Sequence, residues 1–137
     1  MSVVYGDAAA TIANDLRDDL AGRAESYAQD VHVGTRTPTD RVPTEGPTPL
    51  VVVSQDGPGV IQRGANARST IRISVWHATD DDAFDLAGLC QGLVISYAGP
   101  VVRSVLPGLS PVRATDPDTG EPMAWCTVTA NAAPRTI

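Results

Sequence analysis

The chain has 137 residues, the size of one domain, since single domains usually hold about 100–150 residues. A chain of this length buries about 68–70% of the surface it exposes when unfolded, so its core requires neither disulfide nor metal, and its ordinary hydrophobic content argues against disorder throughout. The formal charge is −6, and all 10 basic residues are arginine, scattered from Arg17 to Arg72, Arg103 and Arg113; with no basic block to follow a phosphate backbone, sequence-specific nucleic-acid binding is disfavoured.

Asp7 is placed to cap a helix opening at Ala8. Ile12, Leu16 and Leu20 then recur every four residues beside Ala9, Ala13 and Ala24, with Asn14, Asp15, Arg17, Asp18 and Asp19 opposite. This pattern predicts an amphipathic surface helix lasting until about Tyr27. "DVHVGT" reads as a short strand. In "TRTPTDRVPTEGPTP", Pro38, Pro43, Pro47 and Pro49 stand too close together for a regular element, which predicts an extended connection. A structureless segment of that length is either a binding arm or a solvated loop.

"PLVVVSQ" reads as a buried strand. "STIRISVWHA" alternates, with Ile71, Ile73 and Val75 on one face and Thr70, Arg72, Ser74 and Trp76 on the other. The pair predicts a hairpin with the glycine-rich tip "DGPGVIQRGANAR". "TDDDAFDLAGLCQGLVISYAGP" reads as a helix capped by Thr79 or Asp80, with Asp80, Asp81 and Asp82 at the positive end of its dipole and Gly99-Pro100 as its stop. Phe84, Leu86, Ala87, Leu89, Cys90, Leu93, Val94 and Tyr97 cover most of its circumference, so it should be largely buried. The last third has strand composition interrupted at Pro107-Gly108 and at "DPDTGEP". Together these elements predict an α/β chain of α+β type: a mostly antiparallel or mixed sheet packed on one face by two helices, in a single domain spanning 1–137.

Asp116, Asp118 and Glu121 invite a calcium reading. An EF-hand loop opened at Asp116 would nevertheless place Gly120 at its fifth position and Thr127 at its twelfth, where acidic ligands belong. Asp-Pro-Asp-Thr fits a type I turn instead, with Gly120 at positive φ, leaving Asp118 and Glu121 at an exposed hairpin tip. The glycines at 57, 59 and 64 lack dinucleotide-loop spacing. His32 and His77 are the only imidazoles, and no zinc or hydrolase motif surrounds them, so no catalytic residue, metal or cofactor is expected. Cys90 and Cys126 are expected as buried free thiols. The N-terminal stretch has no basic region followed by an apolar run, and no segment is apolar over the roughly 18 residues a span requires, which points to a cytoplasmic product without a membrane partner. Trp76 and Trp125 fall on the sheet face away from Ala124, Cys126 and Val128, which leaves them either at an interface or covered within the monomer.

In order, "VHVGTRTP", "PLVVVSQDGPG", "IRISVWHATDDDAFDLAGLCQGLV" and "ATDPDTGEPMAWCTVTA" resemble the tail terminator proteins of long-tailed phages of actinobacteria, over nearly the whole chain from the first helix onward. The resemblance implies a structural virion protein that assembles in the host cytoplasm. As a homohexameric ring on the head-proximal end of the tail, it ends polymerisation of the major tail tube protein and offers the surface that meets the head–tail connector or neck protein. DNA would only pass through the lumen, and no catalytic motif transfers. The neck and head-completion proteins of the same phages are the alternative. The proline-rich arm with Arg36 and Arg41, the hairpin tip with Arg63 and Arg68, the turn with Asp118 and Glu121, and the two tryptophans form the candidate assembly interface, in loops suited to ordering on assembly.

Overall fold

The computed structural model describes residues 3–5, 7–42, 46, 48–57, 60–61 and 67–136. Its elements in chain order are β1 (Val3–Tyr5), α1 (Ala8–Ala21), β2 (His32–Gly34), β3 (Leu50–Gln55), β4 (Val60–Ile61), β5 (Ala67–Trp76), α2 (Asp80–Val94), β6 (Val102–Pro107), β7 (Val112–Thr115), β8 (Pro122–Ala132) and β9 (Pro134–Thr136). The main sheet runs β2-β3-β5-β8-β6, with β4 beside β5 and β7 beside β8, and β1 pairs with β9 in a separate antiparallel ribbon. Only β2 and β3 are parallel in the main sheet; every other pair is antiparallel. The α+β architecture with a mixed sheet is the expected one.

Both helices lie on one face of the sheet. Ile12, Ala13 and Leu16 of α1 and Leu86, Ala87, Cys90 and Val94 of α2 are buried with Val51, Val53, Ile71, Ile73, Val75, Ala124, Cys126 and Val128 in one core. The alternation of β5 fits this, because a strand with one face against helices must place every second side chain inward. Cys90 and Cys126 are both free and buried in that core.

The helix starts agree with the sequence and the helix ends do not. Asp7 Oδ1 accepts the Ala10 N–H at 3.0 Å, and Thr79 Oγ1 accepts the Asp82 N–H at 3.2 Å, each satisfying one orphan donor of a first turn. The first helix stops at Ala21 rather than near Tyr27. Gly22 forms its cap, and the Gln29 amide donates to the carbonyls of Arg23 and Glu25, holding the chain in a short 3₁₀ turn at Ser26–Ala28 and leaving Ala24 exposed. The second stops at Val94, ahead of Gly99-Pro100. There the Ser96 hydroxyl donates to the Leu93 carbonyl at 2.6 Å, and the Gly99 N–H turns back to the Val102 carbonyl at 2.8 Å.

In the described part of the proline-rich connection Val42 and Gly46 exchange reciprocal backbone hydrogen bonds at 2.9 Å, and the Thr48-Pro49 peptide is cis; Pro43 and Pro47 lie outside the described residues. The Gly-rich tip falls partly outside the described residues. The hairpin at "DPDTGEP" forms between β7 and β8, with Gly120 at φ 76° as expected. The closing bond, however, joins the Gly120 N–H to the Asp116 carbonyl at 2.8 Å, one residue beyond the bond of a simple type I turn.

The strands β6 and β7 lie in line along the same side of β8, with Pro107 opposite Val128 and Val112 opposite Trp125. The four residues 108–111 therefore stand against two, Cys126 and Thr127, and bulge outward. A Cβ at Gly108 would stand 2.5 Å from Thr127 Oγ1 and 2.7 Å from its carbonyl, so this close approach requires glycine. The Gln91 amide of α2 donates to the Leu109 and Thr127 carbonyls at 2.9 and 3.0 Å, tying the bulge to the helix layer.

Candidate functional site

The sheet face away from the helices carries the tryptophans. In the β5–β8 register Trp76 stands opposite Met123, Ser74 opposite Trp125 and Arg72 opposite Thr127, so these side chains share the open face. Leu50 and Val52 of β3 join them and are buried. On the far side of β8, Val112 is opposite Trp125 and Leu106 opposite Thr129. Leu106 is 54% exposed and Val112 41%, and Leu109 in the bulge between them is 58% exposed. The result is a helix-free face with an apolar margin along an unpaired strand edge, a type of surface that soluble monomers seldom leave uncovered. Those margin residues escape a sequence reading because "LPGLSPV" looks like an ordinary strand break; only the register shows which way Leu106 and Val112 point.

Both tryptophans are half-buried and held by their own chain. The Arg72 guanidinium lies 4.2 Å from the Trp125 ring centroid and 3.3 Å from Asp56, a stacked cation that stays partly exposed. The Trp76 indole N–H donates to Asp116 Oδ2 at 2.8 Å. Asp116 Oδ1 accepts the Asp118 and Thr119 N–H groups at 2.9 and 3.3 Å, forming an Asx turn. The Asp118 N–H first, and the Trp76 indole after it, hold the Asp116 carboxyl below its ordinary range. The turn therefore anchors a tryptophan and presents no open ligand set.

Asp118 is exposed as expected, and Glu121 is not. Its side chain is 2% exposed and receives a forked pair of hydrogen bonds from Arg41, at 2.9 Å to Oε1 and 2.7 Å to Oε2. Arg41, 5% exposed, also donates to Thr48 Oγ1 at 3.2 Å. A carboxylate this near Pro122 lies under the returning connection instead of at the tip, and the guanidinium satisfies it there. Thus Arg41 and Glu121, both expected at an assembly interface, form an internal strut between the proline-rich segment and the β7–β8 hairpin. The separation of 80 residues hides that pairing from local sequence patterns.

Of the remaining arginines, Arg68 is exposed on β5, with its residue opposite Asn131. Arg63 lies outside the described residues. Arg36 is exposed and lines a cleft of about 540 Å³ between α1 and β2, together with Arg17 and His32. The Arg17 Nη2 and Nε groups donate to the Val33 carbonyl at 2.7 and 3.2 Å, which closes part of the β2 edge to strand addition.

The groups that could carry proton chemistry are dispersed. His77 Nδ1 accepts the Ala78 N–H at 2.8 Å, so its other nitrogen, 2.9 Å from the Tyr27 carbonyl, is the donor. His32 sits across the sheet on β2. Burial raises both thiols, Cys126 to about 12. The described residues contain no cluster of three His, Cys, Asp or Glu side chains placed to hold a metal ion, and no helix among them is long and apolar enough to cross a membrane. No protein-family model matches this chain, and no curated protein is similar to it.

Proposed function

We propose that this chain is a structural subunit of a phage tail, a terminator that caps the completed tail tube as a ring and offers the surface joined by the head. The observation that carries the reading is the helix-free sheet face with Trp76 and Trp125 and its exposed margin of Leu106, Leu109 and Val112. Exposed apolar side chains next to a strand edge unpaired among the described residues suit a protein whose work is done by contact. The ordered resemblance of four sequence segments to tail terminators supplies the kind of contact. Activity on this reading resides in shape and surface complementarity, with the tube protein on one side of the ring and the connector on the other.

Electron microscopy of the purified protein incubated with purified tails tests the proposal. A ring at one end of each tube is the expected result. Bare tube ends, together with a monomeric sedimentation profile in the presence of excess tube protein, would overturn it.

A further inference from the structure

We propose that the cleft between α1 and β2 receives the acidic N-terminal end of α2 from a second copy of this chain, so that subunits join head to tail. The inference rests on the ring reading above and specifies its subunit contact. The cleft, about 540 Å³, is lined by Arg17, His32 and Arg36 and by no acidic residue, in a chain with 16 of them. Arg17 is fixed there by the Val33 carbonyl. Arg36 is exposed and makes no hydrogen bond or ion pair with any described residue.

The complement lies at the other edge of the sheet. Asp80, Asp81 and Asp85 are exposed on the first turns of α2, and the Asp81 side chain remains 84% exposed even though Arg113 reaches it at 2.8 Å. Because Arg113 belongs to β7, this contact places the acidic helix end beside the β7 edge, whereas Arg17 and Arg36 flank β2. Arg17 and Asp81 belong to the helix layer of one sheet, near its β2 and its β6–β7 edges, and a copy displaced by about one sheet width along the strand order brings the cleft against the acidic end.

A two-fold contact with the helix layers face to face would pair cleft with acidic end twice over and stop at a dimer, whereas like charges disfavour contact of either patch with its own copy. A heterologous contact pairs opposite charges and leaves each subunit with one free patch of each kind, the arrangement that closes into rings. With Arg17 closing part of the β2 edge, side chains rather than added strands carry the contact.

Complementary variants test this. Arg36→Glu with His32→Glu spoils the cleft, and Asp80→Arg with Asp85→Arg spoils the acidic end; all four positions are exposed. Each variant alone should self-associate at least about tenfold more weakly than the parent in low-salt sedimentation. An equimolar mixture should recover association beyond that of either variant alone, because the parental acidic end of one variant meets the parental cleft of the other, and the reversed end and cleft are themselves opposite in charge. For weak association in free solution, Arg36→Cys and Asp80→Cys in one chain, oxidised at high concentration and on tails, should give a ladder of covalent multimers. Arg36→Cys alone should give no dimer. A ring on tails without cross-linking between 36 and 80, or a dimer trapped by Arg36→Cys alone, overturns the inference and leaves the ring reading standing. Absence of any ring or multimer overturns both.

Discussion

Replacing Arg41 by methionine removes the cation and leaves Glu121 in place. The Glu121 side chain is 2% exposed and loses a forked partner held at 2.9 and 2.7 Å, so the lost bonds are charge-assisted and shielded from water. Breaking a buried pair by deleting one member costs about 3–5 kcal/mol, several times the effect of a surface pair. For a domain of this size that corresponds to a fall in Tm of roughly 10–20 °C. Glu121→Leu alone should cost a similar amount, since it leaves a guanidinium that is 5% exposed without its carboxylate. The double variant should recover most of the loss, because two apolar side chains of similar volume replace a buried ion pair at little net cost. Urea unfolding of all four proteins closes a double-mutant cycle. A loss under about 1 kcal/mol for Arg41→Met would refute the reasoning by placing the pair with solvated surface bridges.

Three further outcomes are expected. Gly108→Ala should destabilise by about 1–3 kcal/mol in urea, because the new Cβ meets a backbone carbonyl that cannot give way, while Gly88→Ala in α2, with nothing within 4 Å, should gain up to about 1 kcal/mol. Asp116 has a folded-state value below its unfolded one, so its contribution is present above the ordinary aspartate value of about 3.9 and disappears as pH falls through the folded value. Unfolding measured against pH should therefore show a shallower acid loss for Asp116→Asn. Cys90 and Cys126 should resist a thiol reagent at neutral pH in the native protein and react fully in denaturant, because both are buried and their thiols are raised; rapid native labelling would contradict the described core.

The parts of the fold legible in the sequence are those fixed by neighbours along the chain. Asp7 and the spacing of Ile12, Leu16 and Leu20 announce α1, and the alternation around Ile71 and Ile73 announces a strand with one dry face. Turn chemistry at Gly120 was equally local. The helix ends were not legible, because Gln29 and Ser96 supply side-chain partners that no propensity encodes. Nor was the status of Glu121, which depends on an arginine 80 residues away in the chain, or the direction of Leu106, which depends on a register broken by a bulge. The faces of Trp76 and Trp125 followed from strand alternation, but their tethers to Asp116 and Arg72 join separate strands and turns.

The ribbon of β1 and β9 has a consequence for how the chain matures. Val3 pairs with Thr136, so β1 finds its partner only in β9, the last of the described strands. Such a pairing joins strands far apart in the sequence, and contacts of that kind are late and slow to form. The helix-backed sheet can condense around α2, β5 and β8 while β1 still waits, and the ribbon then acts as a clasp drawn shut after the body of the domain is complete.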